Sequence, residues 1–367
     1  VTYLLNRVYT FLLLKGGPSL SSEEFEWFQK LGWIKNPFQL SPVGKPDLVV
    51  GFDEEFQLLE NYIRLGYDVI IEGPYGSGKT SLLLCLETLF KDNRLPIFFY
   101  APPESVAELI QIISMELKFN GELSPQVLYH TLRRSDDRII LLIDEAHDLN
   151  IDVAKMLRGL SDLDNISIIY SALNGFSFDK LPKILNTLAD RVQEIIYLDL
   201  LSEEEVILAI KKRIEDVGGS EVSPFTNDAI NFIAQVSEGA PREAIKLCSA
   251  AIALAIRDSI TDIDVDVLEQ ITRRRPSEIV RKLQRLGDRE KQVIGLFVAH
   301  PVLSTGLVKD ELSISSQASY NVIARLMEKE LVTSREAEGR GNEYLPVGLV
   351  KRILTQEIAN DILRIEI

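Results

Sequence analysis

Cysteine is nearly absent from this chain. The two present among 367 residues, Cys85 and Cys248, lie far apart and cannot build a disulfide framework or a Cys-based zinc site. That usage fits a reducing cytosol, and a cytoplasmic protein is expected. Histidine is equally sparse, three in all, with no His/Cys cluster, which argues against a structural metal. No apolar run reaches the roughly 18 residues of a membrane span, so no membrane partner is expected. The apolar stretch 8–14 lacks a basic leader and a small-residue cleavage site, and acidic residues follow it. It reads as a buried helix and not as a signal peptide. Basic residues are outnumbered, 40 against 55 acidic, for a net charge of −15 and a pI near 4.9. Charge of that sign, evenly spread, repels nucleic acid, so any such contact must come from a local basic region.

What remains is ordinary globular material, 46% hydrophobic and 26% charged. The length suits two or three domains at roughly 150 residues each. Residues 1–46 read as a helical hairpin, broken at Gly16-Gly17-Pro18, followed by a proline-bearing linker. From Tyr67 short β-branched runs alternate with helical patterns: 68–72, 96–100, 138–143, 166–171 and 194–198. That alternation predicts an α/β fold, a parallel sheet flanked by helices, over 47–200. Helical periods at 202–217, 226–237, 241–257 and 264–274 make a small helical unit over 201–275. A basic stretch, 273–285, leads into 276–367. There a helix capped by Asp288, a short helix 304–312, a longer helix 315–329 and two strands, 331–335 and 343–347, follow in the order of a winged helix-turn-helix. A glycine-rich tip lies between the strands, and a last helix is expected near 348–363.

The sharpest motif is Gly73-Pro74-Tyr75-Gly76-Ser77-Gly78-Lys79-Thr80, which fits G-x-x-x-x-G-K-[ST] at every fixed position. It follows a predicted strand and opens a predicted helix starting at Ser81. Glycines let the backbone curl so that successive N–H groups face phosphate oxygens, and the helix N-terminus adds its positive end. Lys79 is expected to reach the β and γ phosphates of ATP, or the β phosphate of ADP, and Thr80 to give a hydroxyl to Mg²⁺. The second half, Ile139 to Ile143 followed by Asp144-Glu145, begins its acidic pair 64 residues after Thr80. Asp144 is expected to hold Mg²⁺, and Glu145 to orient the attacking water. His147 completes Asp-Glu-Ala-His, which resembles helicases. With no other helicase motif present, His147 reads as a local structural residue.

The two motifs with a helical unit behind the sheet resemble the AAA+ ATPases. The resemblance implies a sensor-1 role for Asn174 (Ser171 as fallback) and an arginine finger at Arg191, acting on a neighbouring subunit. It also implies a sensor-2 role in cis for Arg242, a helical lid at 201–275, and an adenine-lining segment at Val49-Val50-Gly51-Phe52. Asn174 to Phe178 through Arg191 and on to Ile210, together with Gly239-Ala240-Pro241-Arg242 and the C-terminal winged helix, narrows it to the archaeal replication-initiator family of origin-recognition and loader ATPases. This implies slow ATP hydrolysis, binding of duplex DNA, and self-association through the AAA+ face.

Charge supports DNA contact at the C-terminal end. Over 271–353 there are 15 basic and 10 acidic residues, a balance of +5, leaving −20 for the rest. In the helix 315–329, Ser316, Gln317, Ser319, Tyr320 and Arg325 are expected to face the major groove, with Val322, Ile323 and Leu326 turned to the core. Arg340 and Asn342 at the wing are expected to reach a phosphate or the minor groove. The alternative is an ATPase switch of signalling or transposition-linked type whose winged helix contacts protein instead of DNA.

Overall fold

The computed structural model describes residues 22–119, 124–173, 191–329, 331–336, 342–347, 350, 351 and 354; for residues 22, 273–281, 335 and 336 it describes the backbone alone. Asn174, Arg340 and most of the expected last helix lie outside the described residues. The chain divides into two compact units, Pro42–Asp199 and a second one combining the segment before Pro42 with the chain from Leu200 onward.

In the first unit all five apolar runs form strands: β1 (Asp68–Gly73), β2 (Leu95–Phe99), β3 (Ile139–Ile143), β4 (Ile166–Leu173) and β5 (Val192–Tyr197). Every pairing is parallel, in the order β2-β3-β4-β1-β5. The central strands β1 and β3 are buried along their whole length, as a sheet covered on both faces requires. Pro96 sits on edge strand β2, where its missing N–H costs no central ladder bond. Apolar side chains from β2, β3 and β4 pack with Leu109, Ile113, Leu128, Val153 and Leu157 of the flanking helices.

One buried charge interrupts that core. Asp68 opens β1 at 5% exposure, and its Oδ1 accepts the Ile168 N–H at 2.7 Å. Burial pushes its carboxyl up to about 6, against hydrogen bonds from Ser161 and Ile168 and the charge of Arg191. A carboxyl raised in the folded state binds more protons folded than unfolded between pH 3.8 and about 6. Stability therefore falls as pH rises through that window and is level above it, by roughly 2–3 kcal/mol in all. Asp68→Asn keeps the acceptor oxygen and removes the charge. The difference in urea midpoint between the unchanged protein and this variant is expected to change between pH 4 and 6 and stay constant above 7.

In the second unit, helix α1 (Ser22–Leu31) and the chain to Phe38 lie on the helical lid. Trp27 Nε1 donates to Ile260 O at 3.1 Å, and Ile34 N donates to Val217 O at 3.0 Å. Phe38 is fully buried with its ring 5.8 Å from that of Phe225 and 6.4 Å from that of Trp33. Gly218, at φ 93°, lets the two segments meet, since a Cβ there would lie 2.8 Å from Gly32 O. The lid proper is Glu203–Asp216, capped by Ser202 and Glu205, then Asn227–Ser237 and Pro241–Arg257, with Pro241 in the first turn.

The next helix, Val265–Gln284, does not end near 274. Val267, Leu268 and Ile271 at its start are buried, and Leu283 at its far end joins the winged-helix core, so apolar anchors at both ends carry the helix through the basic run. The winged helix follows as Asp288–Ala299, Thr305–Glu311 and Ser316–Glu328, then the antiparallel pair β6 (Val332–Glu336) and β7 (Asn342–Pro346). The cap of its first helix is Gly287, whose N–H donates to Glu290 Oε2 at 2.9 Å, and Asp288 is the first helical residue. Both cysteines are fully buried, one in each unit. Among the described residues no helix is long and apolar enough to cross a membrane.

Candidate nucleotide-binding site

The loop after β1 curls back on itself through two residues in the left-handed region, Gly76 at φ 79° and Gly78 at φ 110°. Gly78 caps helix α2 (Lys79–Phe90), which starts two residues earlier than its apolar period suggests. Gly73 has no room for a side chain, because a Cβ there would lie 2.8 Å from Ser77 Oγ and 2.9 Å from Leu198 O. Tyr75 and Gly76 form the partly exposed crest of the loop, and Pro74 is buried at its base. Phe52 packs over the loop, its ring 3.4 Å from where a Gly78 Cβ would stand. That ring belongs to the segment expected to line an adenine.

Lys79 is 7% exposed, and its Nζ donates to Gly73 O at 2.8 Å and Pro74 O at 2.9 Å. Burial pulls its pKa down to about 8, opposed by Glu145, Asp144 and Glu72, in that order. Thr80 Oγ1 donates to Asp144 Oδ2 at 2.6 Å. Asp144 Oδ1 accepts from the Ser171 hydroxyl and, at 3.1 Å, from the Glu145 N–H. The strand order explains this convergence. β4 lies between β3 and β1, so the end of β4 brings Ser171 between Asp144 and the loop. Among the described residues Ser171, the fallback, is the polar residue of β4 that touches this group.

Ser81 stands away from the loop's mouth by its side chain, with Oγ accepting the Val43 N–H at 3.1 Å; its backbone N–H remains in the first turn of α2. Glu145 adopts φ 53°, ψ 38°, in the left-handed region. Its Oε2 lies 3.3 Å from His147 Nε2, a contact the motif reading missed although the two residues share one turn.

The donor set fits a polyphosphate with Mg²⁺. Ser77 Oγ is buried with no hydrogen-bond partner among the described residues, and it lies inside a loop closed by glycines. A hydroxyl and a carboxylate, hard oxygen donors suited to Mg²⁺, meet beside it.

Arg191 stands away from the loop of its own chain. Asp68 pairs with Val192, so Arg191 lies at the beginning of the strands, about 17 Å along β1 from the loop at their ends. It pairs with Asp162 at 2.6 Å. Arg242 is exposed in the first turn of Pro241–Arg257, in the second unit.

A family model described as an AAA domain matches residues 67–178. Cdc6p from Pyrobaculum aerophilum has a similar structure, with a TM-score of 0.54 at 18% identity, covering 89% of this chain and 98% of that one. The Aeropyrum pernix ORC1 protein, solved in complex with DNA, has a TM-score of 0.54 at 17% identity, covering 89% and 96%. The chain shares the AAA+ fold of these structures. An uncharacterised HTH-type transcriptional regulator of Methanocaldococcus jannaschii is 31% identical over 152 residues. That match spans 40% of this chain and 37% of the relative.

In the winged helix, Ser316, Gln317 and Arg325 are exposed and Tyr320 is half-buried on helix Ser316–Glu328. Gln317 Nε2 donates to Asn321 Oδ1 at 3.0 Å, and Arg325 Nε donates to Asn321 O at 3.2 Å. Asn342 opens β7, half-buried. Ser319 does not face outward. It is fully buried and shares a face with Val322, Ile323 and Leu326, three, four and seven residues on, while its hydroxyl donates to Ser315 O.

Proposed function

We propose that this protein binds and hydrolyses Mg·ATP and binds duplex DNA through its winged helix, in the manner of a replication initiator. The observation that carries the ATPase reading is the convergence of Lys79, Thr80, Asp144, Ser171 and Glu145 at the ends of β1, β3 and β4. The loop 73–80 cradles the phosphates, with Lys79 moving from its carbonyl acceptors to phosphate oxygens. Thr80 and Asp144 hold Mg²⁺, which when bound neutralises charge on the phosphates. Ser171, with Asn174 beyond it, and Glu145 orient water. The resemblance assigns Arg242 to the nucleotide in cis and Arg191 to a neighbouring copy's γ-phosphate. A residue at the opposite end of the strands from its own loop suits a role in trans.

Mixing Arg191→Ala protein with Glu145→Gln protein is expected to restore hydrolysis in mixed assemblies, one partner supplying the finger and the other a complete pocket. Turnover at the level of the separate variants, with mixed assembly demonstrated, removes the trans role.

DNA binding rests on the exposed face of helix Ser316–Glu328 and the net +5 of 271–353. A gel-shift titration with and without ATP, at stated salt, tests it. Each phosphate contact adds roughly 0.9 to the slope of log K against log salt, so Arg325→Ala or Arg340→Ala should weaken binding to all duplexes and flatten that slope. Gln317→Ala should instead change the preferred sequence. No duplex binding in either nucleotide state turns the winged helix to a protein partner.

A further inference from the structure

Glu145 is a long side chain asked to hold a water, and its surroundings at the end of β3 restrain it in two ways. Its backbone is in the left-handed region, uncommon for a residue with a Cβ. The surrounding bonds fix that turn: Asp144 N donates to Phe99 O at 2.9 Å, Glu145 N to Asp144 Oδ1, and Asp148 N to Glu145 O at 3.0 Å. The second restraint acts on the carboxylate itself. His147 Nε2 lies 3.3 Å from Oε2, and among the described residues Oε1 has no partner. Ala146, fully buried between them, ties the turn to the sheet core. Glu145 is also the first of the carboxylates that sustain the charge on Lys79.

We infer that His147 is a positioning residue for Glu145. Its ring N–H fixes one carboxylate oxygen and so aims the other at the water that attacks the γ-phosphate. The inference rests on the ATPase reading. It makes Asp144-Glu145-Ala146-His147 one device: the first residue for the metal, the second for water, the fourth to hold the second in place.

The test is steady-state ATP turnover by the full chain, with binding of a non-hydrolysable ATP analogue and thermal midpoint measured on the same samples. His147→Ala is expected to lower kcat about tenfold or more while the analogue Kd stays within about twofold, the size usual for removing a group that orients a reactive one. His147→Gln carries an amide N–H near the position of Nε2 and should recover most of the loss. With Glu145→Gln already in place, adding His147→Ala should have no further effect on turnover. An unchanged kcat in His147→Ala overturns the inference. So does a parallel loss of binding, midpoint and kcat without recovery in His147→Gln, which is the signature of a fold-supporting residue. Absence of turnover in the unchanged protein overturns the ATPase reading, and this role with it, and is seen before any variant is made.

Discussion

Glu145→Gln is expected to hold Mg·ATP as tightly as the unchanged protein and to hydrolyse it about a hundredfold or more slowly, the usual range for losing a positioned base. The amide keeps the size of the side chain and can still accept from His147 if it flips. It cannot polarise or take a proton from water. Lys79→Met should do the opposite and lose binding, because the charge that meets the phosphates is gone. The same substitution should raise the midpoint of thermal unfolding. Lys79 is a buried ammonium satisfied only by two carbonyls, and burial has drawn its pKa to about 8. Below that pH the folded chain carries the cost of the charge. Above it Lys79 sheds its proton before nucleotide arrives, and ATP affinity should fall as pH climbs past 8. Calorimetric titration at pH 7, 8 and 9 checks the trend, and an affinity that does not weaken across it contradicts the assigned contact.

Phe38→Ala is expected to cost about 3–5 kcal/mol, the range for deleting a buried aromatic ring. Phe38 has no exposed surface, lies edge-on to both Trp33 and Phe225, and is fixed at its backbone by the Asn36 side chain, which accepts its N–H at 2.8 Å. The rings of Trp33 and Phe225 are too rigid to fill the space. Leu40→Ala, two residues on and 53% exposed, should change stability by no more than about 0.5 kcal/mol. The measurement is direct, because the chain's two tryptophans, Trp27 and Trp33, stand in this aromatic group. Their fluorescence reports unfolding of this unit. A Phe38→Ala midpoint matching that of Leu40→Ala would remove the segment's anchoring role.

The sheet and the phosphate loop were legible because each follows from short-range patterns: continuous β-branched runs for buried parallel strands, and glycines at the spacing a phosphate demands. The anchoring of residues 22–41 was not, since Trp27, Phe28, Trp33 and Phe38 follow no helical or strand period and their partners lie some two hundred residues on. They looked like a hairpin and a linker. Ser319 was misread for a different reason. Polarity suggested solvent, yet its spacing from Val322, Ile323 and Leu326 already put it on the apolar face, where a small hydroxyl can return its hydrogen bond to the preceding turn. The helix Val265–Gln284 was cut short because a basic run resembles a linker, whereas Leu283 beyond it is a core residue. His147, with no other helicase motif in the chain, reads as a local structural residue, although its closeness to Glu145 is set by two intervening peptide bonds.

The scarcity of cysteine has a practical consequence. Cys85 lies on the helix that follows the phosphate loop and Cys248 on the lid helix Pro241–Arg257. Both sulfurs are sealed from solvent, and burial pushes the Cys85 thiol up to about 12 and the Cys248 thiol well above its ordinary value. Thiolate is the form that alkylates, so neither reacts until its surroundings open. Each unit thus carries one built-in chemical clock with no engineered label. Pulsed alkylation followed by peptide mass analysis times the two openings separately in one sample, and a ligand seated on the loop slows the clock at Cys85 by the free energy with which it holds that helix closed.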